Sequence, residues 1–223
     1  MTKFPIFEWP DFVKYLIYIQ DLRTMIVKLS DARRDLYRKL ARQNGYRSRS
    51  AYKLMQLNNS YHFLKSNDKV IDIGCAPGGW LQVAKKIVGP GGKVIGVDLK
   101  EVSPMENVIT LRIGIEDEEL IDQLYNILEH KADVLLSDLA PNVSGLWDLD
   151  QLKQISLTKS ALNVAKKILR KGGIGVFKVF EGNSLKELKE ELKLYFGKIY
   201  LSKPNASRSV SSELYIICFN YLH

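Results

Sequence analysis

Cysteine and histidine are scarce in this sequence. Two cysteines, Cys75 and Cys218, stand far apart in 223 residues. They cannot form a secreted disulfide framework, so a reducing compartment is the default. The three histidines, His62, His130 and His223, have no Cys or His partner at ligand spacing, and no metal site is expected. Long apolar runs are missing too. The stretch "LIYI" at 16–19 is bracketed by Lys14 and Asp21 and is far too short to cross a bilayer. No signal peptide is read. The expectation is a cytoplasmic protein, a monomer, with no membrane and no metal partner.

Positive charge is plentiful and unevenly placed. The chain carries +8 overall. Between Lys28 and Lys53 there are nine basic residues and two acidic ones, Asp31 and Asp35, so one segment holds nearly the whole excess. Tyr37, Tyr46 and Tyr52 are interleaved with them. A solvated helix face normally mixes signs. Crowded cations with aromatics suit a phosphate backbone and unstacked bases. Arg33, Arg34, Arg38, Arg47 and Arg49 are therefore candidate RNA contacts.

Residues 1–30 read as an N-terminal extension with a helix starting at Asp11, either a packing extension or sequence upstream of a start at Met25. A basic helix is expected from Asp31 to about Asn44, ended by Gly45. A second follows, capped by Ser48 or Ser50, and the two form a basic RNA-binding entry over 31–60. Strands and helices then alternate. Strands are expected at 69–74, 93–99, 108–113, 132–139, 174–180, 198–203 and 213–222. Helices are expected at 79–89, 117–130, 150–173 (ended by Gly172-Gly173) and 184–196. This alternation predicts a Rossmann-like α/β domain over 31–223, a seven-stranded, mostly parallel sheet. The polar loop "PNASRSVSS" joins the last two strands without a helix, so they should run antiparallel.

"VIDIGCAPGGW" places a glycine turn directly after the first sheet strand, where open α/β sheets bind ligands. Gly74, Gly78 and Gly79 would let a ligand approach the backbone closely. A dinucleotide site wants G-x-G-x-x-G; the spacing here is G-x-x-x-G-G with Pro77 inside. S-adenosylmethionine has no phosphate and carries a sulfonium cation, so it needs acidic surroundings. Asp72, Asp98, Asp117 and Asp138 supply them, with Asp98 placed for ribose hydroxyls and Asp117 for an adenine amino group. Cys75 reads as a small turn residue.

In "GVFKVFEG", Lys178 interrupts an apolar strand. An unpaired ammonium in an apolar interior is costly, so this lysine is at an edge, paired or used.

Five motifs in order, "GYRSRSAYKL", "DIGCAPGGW", "SDLAPN", "FKVF" and "SSELYI", resemble the RrmJ/FtsJ (RlmE) family of ribosomal RNA ribose 2′-O-methyltransferases, over roughly Asp31 to Asn220. The resemblance implies a seven-stranded methyltransferase fold and S-adenosyl-L-methionine as donor. Its usual target is a uridine 2′-hydroxyl in the A-loop of large-subunit rRNA, with the rRNA or the assembled subunit as partner. It implies a catalytic Lys-Asp-Lys-Glu set at Lys53, Asp138, Lys178 and Glu213. It also implies cofactor contacts at Gly78, Trp80, Asp98, Asp117 and Asp138. Around Asp117, "RIGIEDEE" departs from the family's Gly-Asp-x-x-Asp pattern.

The chemistry agrees with the grouping. A ribose hydroxyl is a poor nucleophile that a positioned base improves. Asp138 and Lys178 close parallel strands, and Glu213 opens a strand running backwards, so all three should meet at one sheet edge. Lys53 must arrive from the basic helix. The expected roles are Lys178 as base, Asp138 to orient it, and Lys53 and Glu213 to position the hydroxyl and balance charge. A tRNA anticodon-loop ribose methyltransferase and a non-catalytic ribosome-assembly factor are the alternatives.

Overall fold

The computed structural model describes Met25, residues 36–207 and residues 211–223. The expected helix from Asp11, the extension at 1–30 and Arg33 and Arg34 lie outside these residues, apart from Met25. Residues 36–43 are helical (α1). Then come α2 (Ala51–Tyr61), β1 (Lys69–Ile73), α3 (Gly79–Val88), β2 (Lys93–Asp98) and β3 (Ile109–Arg112). They are followed by α4 (Glu119–Leu128), β4 (Ala132–Ser137), α5 (Trp147–Ile168), β5 (Leu169–Phe180), α6 (Leu185–Lys193), β6 (Phe196–Ser202) and β7 (Glu213–Tyr221). The seven strands form one sheet in the order β3-β2-β1-β4-β5-β7-β6. β1 to β5 pair in parallel, and β7 runs antiparallel to both β5 and β6. This is the expected α/β class, including the antiparallel closing pair.

Near-continuous apolar runs make the central strands, because helices cover both faces of the sheet. Side chains alternate between the faces. Ile71, Ile73, Val97, Leu135, Phe177 and Val179 point into the core shared with α4, α5 and α6. Val70, Leu136, Val176 and Tyr215 point into the core shared with α2 and α3. Every residue two steps from the second set therefore faces α2 and α3.

Local differences have physical causes. The long helix ends at Ile168 rather than at Gly172-Gly173. Leu169 is already extended and pairs with Ala132, and a register shift follows before Val134↔Ile174. Gly172 (φ +78°) sits in that irregular stretch, so the two glycines serve a bulged strand entry instead of a helix stop. Arg170 Nε donates to Asp133 Oδ1 at 2.6 Å beside the bulge, with the arginine side chain 52% exposed. Arg170→Ala is therefore expected to change stability by less than about 1 kcal/mol, read from the urea midpoint. Ser50 stands at the N-cap of α2 but makes no side-chain cap bond; its hydroxyl contacts that of Ser48 at 2.6 Å. Gly45 does end α1, with φ +69° and the Tyr46 amide donating to Ala41 O at 2.8 Å.

Candidate active site

β5 lies between β4 and β7, which excludes an edge-guarding role for Lys178. Ser137 pairs with Phe177, so Asp138 comes level with Lys178, and Lys178 pairs with Tyr215. Parity places Asp72, Asp98, Asp138, Lys178, Glu213 and Tyr215 on the α2/α3 face, at the end of the sheet where the parallel strands finish. α2 brings Lys53 down onto the same group.

The charges interlock. Lys53 Nζ lies 2.5 Å from Glu213 Oε1, and Lys178 Nζ lies 3.3 Å from Glu213 Oε2 and 3.2 Å from Asp138 Oδ1. Lys53, Lys178 and Glu213 are all buried. All four residues of the expected catalytic set therefore meet in one network. Two further residues complete it. The Tyr215 hydroxyl donates to Asp138 Oδ1 at 2.7 Å and lies 3.3 Å from Glu213 Oε1. Ser207 Oγ donates to Glu213 Oε1 at 2.8 Å. The sequence reading assigned neither. Period two from Glu213 would have found Tyr215, whereas Ser207 sits in a polar loop with no periodic signal. From α5, Gln154 Nε2 donates to the Lys178 carbonyl at 3.0 Å, and Thr158 Oγ1 lies at the same distance.

Protonation follows from these contacts. Burial pushes the Lys178 ammonium down, but the Asp138 and Glu213 carboxylates outweigh it and hold its pKa above the ordinary lysine value. Burial would raise Glu213, yet Lys178, Lys53 and the Ser207 hydroxyl bring it down to about 2. Burial, with Asp138 and Glu213 adding to it, keeps Tyr215 un-ionised far into the alkaline range. Because the folded pKa of Glu213 lies below its ordinary 4.5, its contribution to stability is complete above pH 4.5. That contribution is lost as pH falls towards 2. Glu213→Gln is expected to flatten the pH dependence of the urea midpoint across that window, by on the order of 2–3 kcal/mol.

Asp72 is fully buried, and neither carboxylate oxygen has a hydrogen-bond partner. Burial, then the Asp138 and Asp98 charges, raise its pKa well above the ordinary carboxylate range. Asp98 closes β2 and accepts from the Ala76 amide at 2.9 Å and the Lys100 amide at 2.8 Å. Asp117 is exposed, two residues ahead of α4, and accepts from the Glu119 amide at 3.1 Å. It stands apart from the network just described. Trp80 is buried, donates from Nε1 to Ser50 O at 2.8 Å and packs on Tyr215.

The glycine turn and the basic entry segment pack on each other. A Cβ at Gly78 would meet Arg47, one at Gly79 would meet Ser48 Oγ, and one at Gly74 would meet Leu139. On the side a Cβ would occupy, each of these glycines is met by the chain itself. The Arg47 guanidinium donates to Ser103 O at 2.6 Å and Pro104 O at 2.8 Å, bracing the entry segment. Tyr37 and Tyr46 pack against Tyr52. Arg38 is exposed and Arg49 half-buried. Cys75 is buried, and burial raises its thiol pKa, as befits a small turn residue. Among the described residues no helix is long and apolar enough to cross a membrane, and no group of His, Cys, Asp and Glu is arranged to hold a metal ion.

The chain resembles known proteins over nearly all of its length. A Nitrosopumilus maritimus protein named ribosomal RNA large subunit methyltransferase E is 46% identical over 88% of this chain and all of its own. Its namesake from Methanocaldococcus jannaschii is 44% identical over 85% of this chain and 79% of its own. A crystal structure from Plasmodium falciparum, assigned as a ribosomal RNA methyltransferase, superposes with a TM-score of 0.72 at 35% identity, covering 79% of this chain and 99% of that one. Aeropyrum pernix fibrillarin, solved with natively bound S-adenosyl-L-methionine, shares the fold at a TM-score of 0.53 and 18% identity. It covers 78% of this chain and 76% of that one. The FtsJ-like methyltransferase family model matches residues 46–221, a span that takes in the glycine turn and all four interlocked charges, and the chain belongs to that family.

Proposed function

We propose that this protein transfers a methyl group from S-adenosyl-L-methionine to a ribose 2′-hydroxyl of large-subunit rRNA, a uridine of the A-loop. The observation carrying this reading is the buried Lys53–Glu213–Lys178–Asp138 network, bridged by Tyr215, beside a carboxylate that lacks any partner. Asp72 is the test of fit for the donor: two unpartnered, buried oxygens at a strand end suit the positive charge that the donor carries. The turn from Gly74 to Gly79, Asp98, Asp138 and Trp80 would surround the donor, with Asp117 towards its adenine. Bound there, it supplies an electrophilic methyl on a sulfonium.

The residues of the chain do the remainder. Asp138 and Glu213 hold Lys178 in place, and Lys178, once neutral, accepts the 2′-hydroxyl proton. Lys53 and Glu213 position that hydroxyl and balance its developing charge. Arg38 and Arg49, with Arg33 and Arg34, contact the rRNA backbone. Arg47, engaged with three backbone carbonyls, holds that surface to the glycine turn. Residues 31–223 act as one methyltransferase domain, a monomer in the cytoplasm, with 1–30 as an extension.

The test supplies methyl-labelled S-adenosylmethionine with unmodified large-subunit particles, naked rRNA and tRNA in separate reactions. Label in a ribose 2′-O-methyl uridine of the large subunit is expected. Label in tRNA alone would overturn the substrate and keep the chemistry. Donor binding with no transfer to any RNA would favour the assembly-factor reading.

A further inference from the structure

Beyond the tetrad, the same strand carries one more side chain on the same face. Phe180 is two residues past Lys178, so it points the same way, about 6–7 Å further along β5. It pairs across the sheet with Glu213. Phe180 is almost wholly covered, and what stacks on it is Trp147, with ring centroids 6.0 Å apart and planes 23° from parallel. Trp147 itself is 48% exposed. One face of the indole covers Phe180, and the rest of the ring stays in water.

The segment before the indole is built to hold still. Asp150, one turn into α5 and buried, accepts from the Ser144 amide and hydroxyl, both at 2.8 Å, and from the Gly145 amide at 3.1 Å. Gln151 Nε2 donates to Glu181 O at 3.1 Å, tying the start of α5 to the end of β5. The indole is therefore held at the rim before any substrate arrives. An aromatic ring offered at fixed geometry is how proteins stack an unpaired base, since every base has a π face. In a nucleotide the base is joined to the carbon next to the one bearing the 2′-hydroxyl. A ribose bound at Lys178 therefore brings its own base close by, and Phe180 with Trp147 lies one step further along β5.

We propose that Trp147, backed by Phe180, is the platform on which the base of the methylated nucleotide stacks, a reading that rests on the ribose-methylating function above. Trp147 is a positioning residue: it acts on the nucleotide and takes no part in proton or methyl transfer.

The experiment compares wild type, Trp147→Ala and Trp147→Phe on an rRNA fragment that is either intact or abasic at the target nucleotide with its 2′-hydroxyl retained. Trp147→Ala is expected to raise KM on intact RNA by about 5- to 150-fold, with a smaller change in kcat. Trp147→Phe is expected to keep most of the wild-type KM. On the abasic RNA, wild type and Trp147→Ala should converge. An unchanged KM, or an equal loss on abasic RNA, would overturn the proposal, as would convergence only when a neighbouring base is removed. Melting temperature and S-adenosylmethionine affinity, matching wild type in both variants, exclude misfolding. RNA affinity by fluorescence anisotropy is measured alongside and needs no turnover. If wild type methylates no RNA, the proposed function falls. The anisotropy arm still decides Trp147, which stands only if intact RNA distinguishes the variants and abasic RNA does not.

Discussion

Lys178→Ala is expected to lower methyl transfer by about 100- to 10,000-fold, the usual worth of a general base, while S-adenosylmethionine still binds. The same variant should abolish the rising limb of the kcat profile with pH. Asp138 and Glu213 hold the Lys178 pKa above the ordinary lysine value despite burial, so the resting group is an ammonium and cannot accept a proton. Wild-type kcat is therefore expected to climb with pH across neutrality as the neutral amine becomes available. Lys178→Arg should fail to rescue, because a guanidinium keeps its charge and does not deprotonate. A Lys178→Arg enzyme with near wild-type kcat would overturn the base assignment and leave a charge-positioning role. Removing the ammonium leaves Asp138 and Glu213 short of one partner, so melting temperature is measured on the same samples. Lys178→Met preserves the packing of the stem.

Asp72→Asn is expected to move two measurements in opposite directions. Ionising Asp72 in its fully buried place, with no hydrogen-bond partner, costs about 1–3 kcal/mol or more. Its folded pKa is raised above 3.8, first by burial and then by Asp138 and Asp98. Its contribution to stability is thus fully present below pH 3.8 and is lost as pH rises through the folded value. Asparagine carries no charge to bury. The cofactor-free variant should melt about 2–12 °C higher than wild type at pH 7.5, and the difference should vanish towards pH 3.8. S-adenosylmethionine should bind about 10- to 100-fold more weakly, for want of a charged acceptor. Lower stability with unchanged affinity would mean that Asp72 serves the fold and not the donor.

Much of this site can be read from one dimension, for a definite reason. Lys178 breaks an apolar strand, and Asp138 and Glu213 stand at predicted strand ends. The direction of each strand then says which edge it reaches. What failed were readings of local chemistry where tertiary contacts compete. Gly172-Gly173 has the look of a helix stop, yet pairing of Leu169 with Ala132 captures those residues into β5.

The sequence by itself determined the fold class and the closing antiparallel pair, and through the resemblance of its five motifs it named the four interlocked charges. The first two follow from hydrophobic period and connection length, which are local or additive along the chain. Only the tertiary structure decided that Tyr215 and Ser207 belong to the network, that Asp72 has no partner, and that Trp147 stands over Phe180. Those facts depend on which side chains arrive from distant elements. Partnership, burial and exposure are properties of the packed molecule, and no residue carries them on its own.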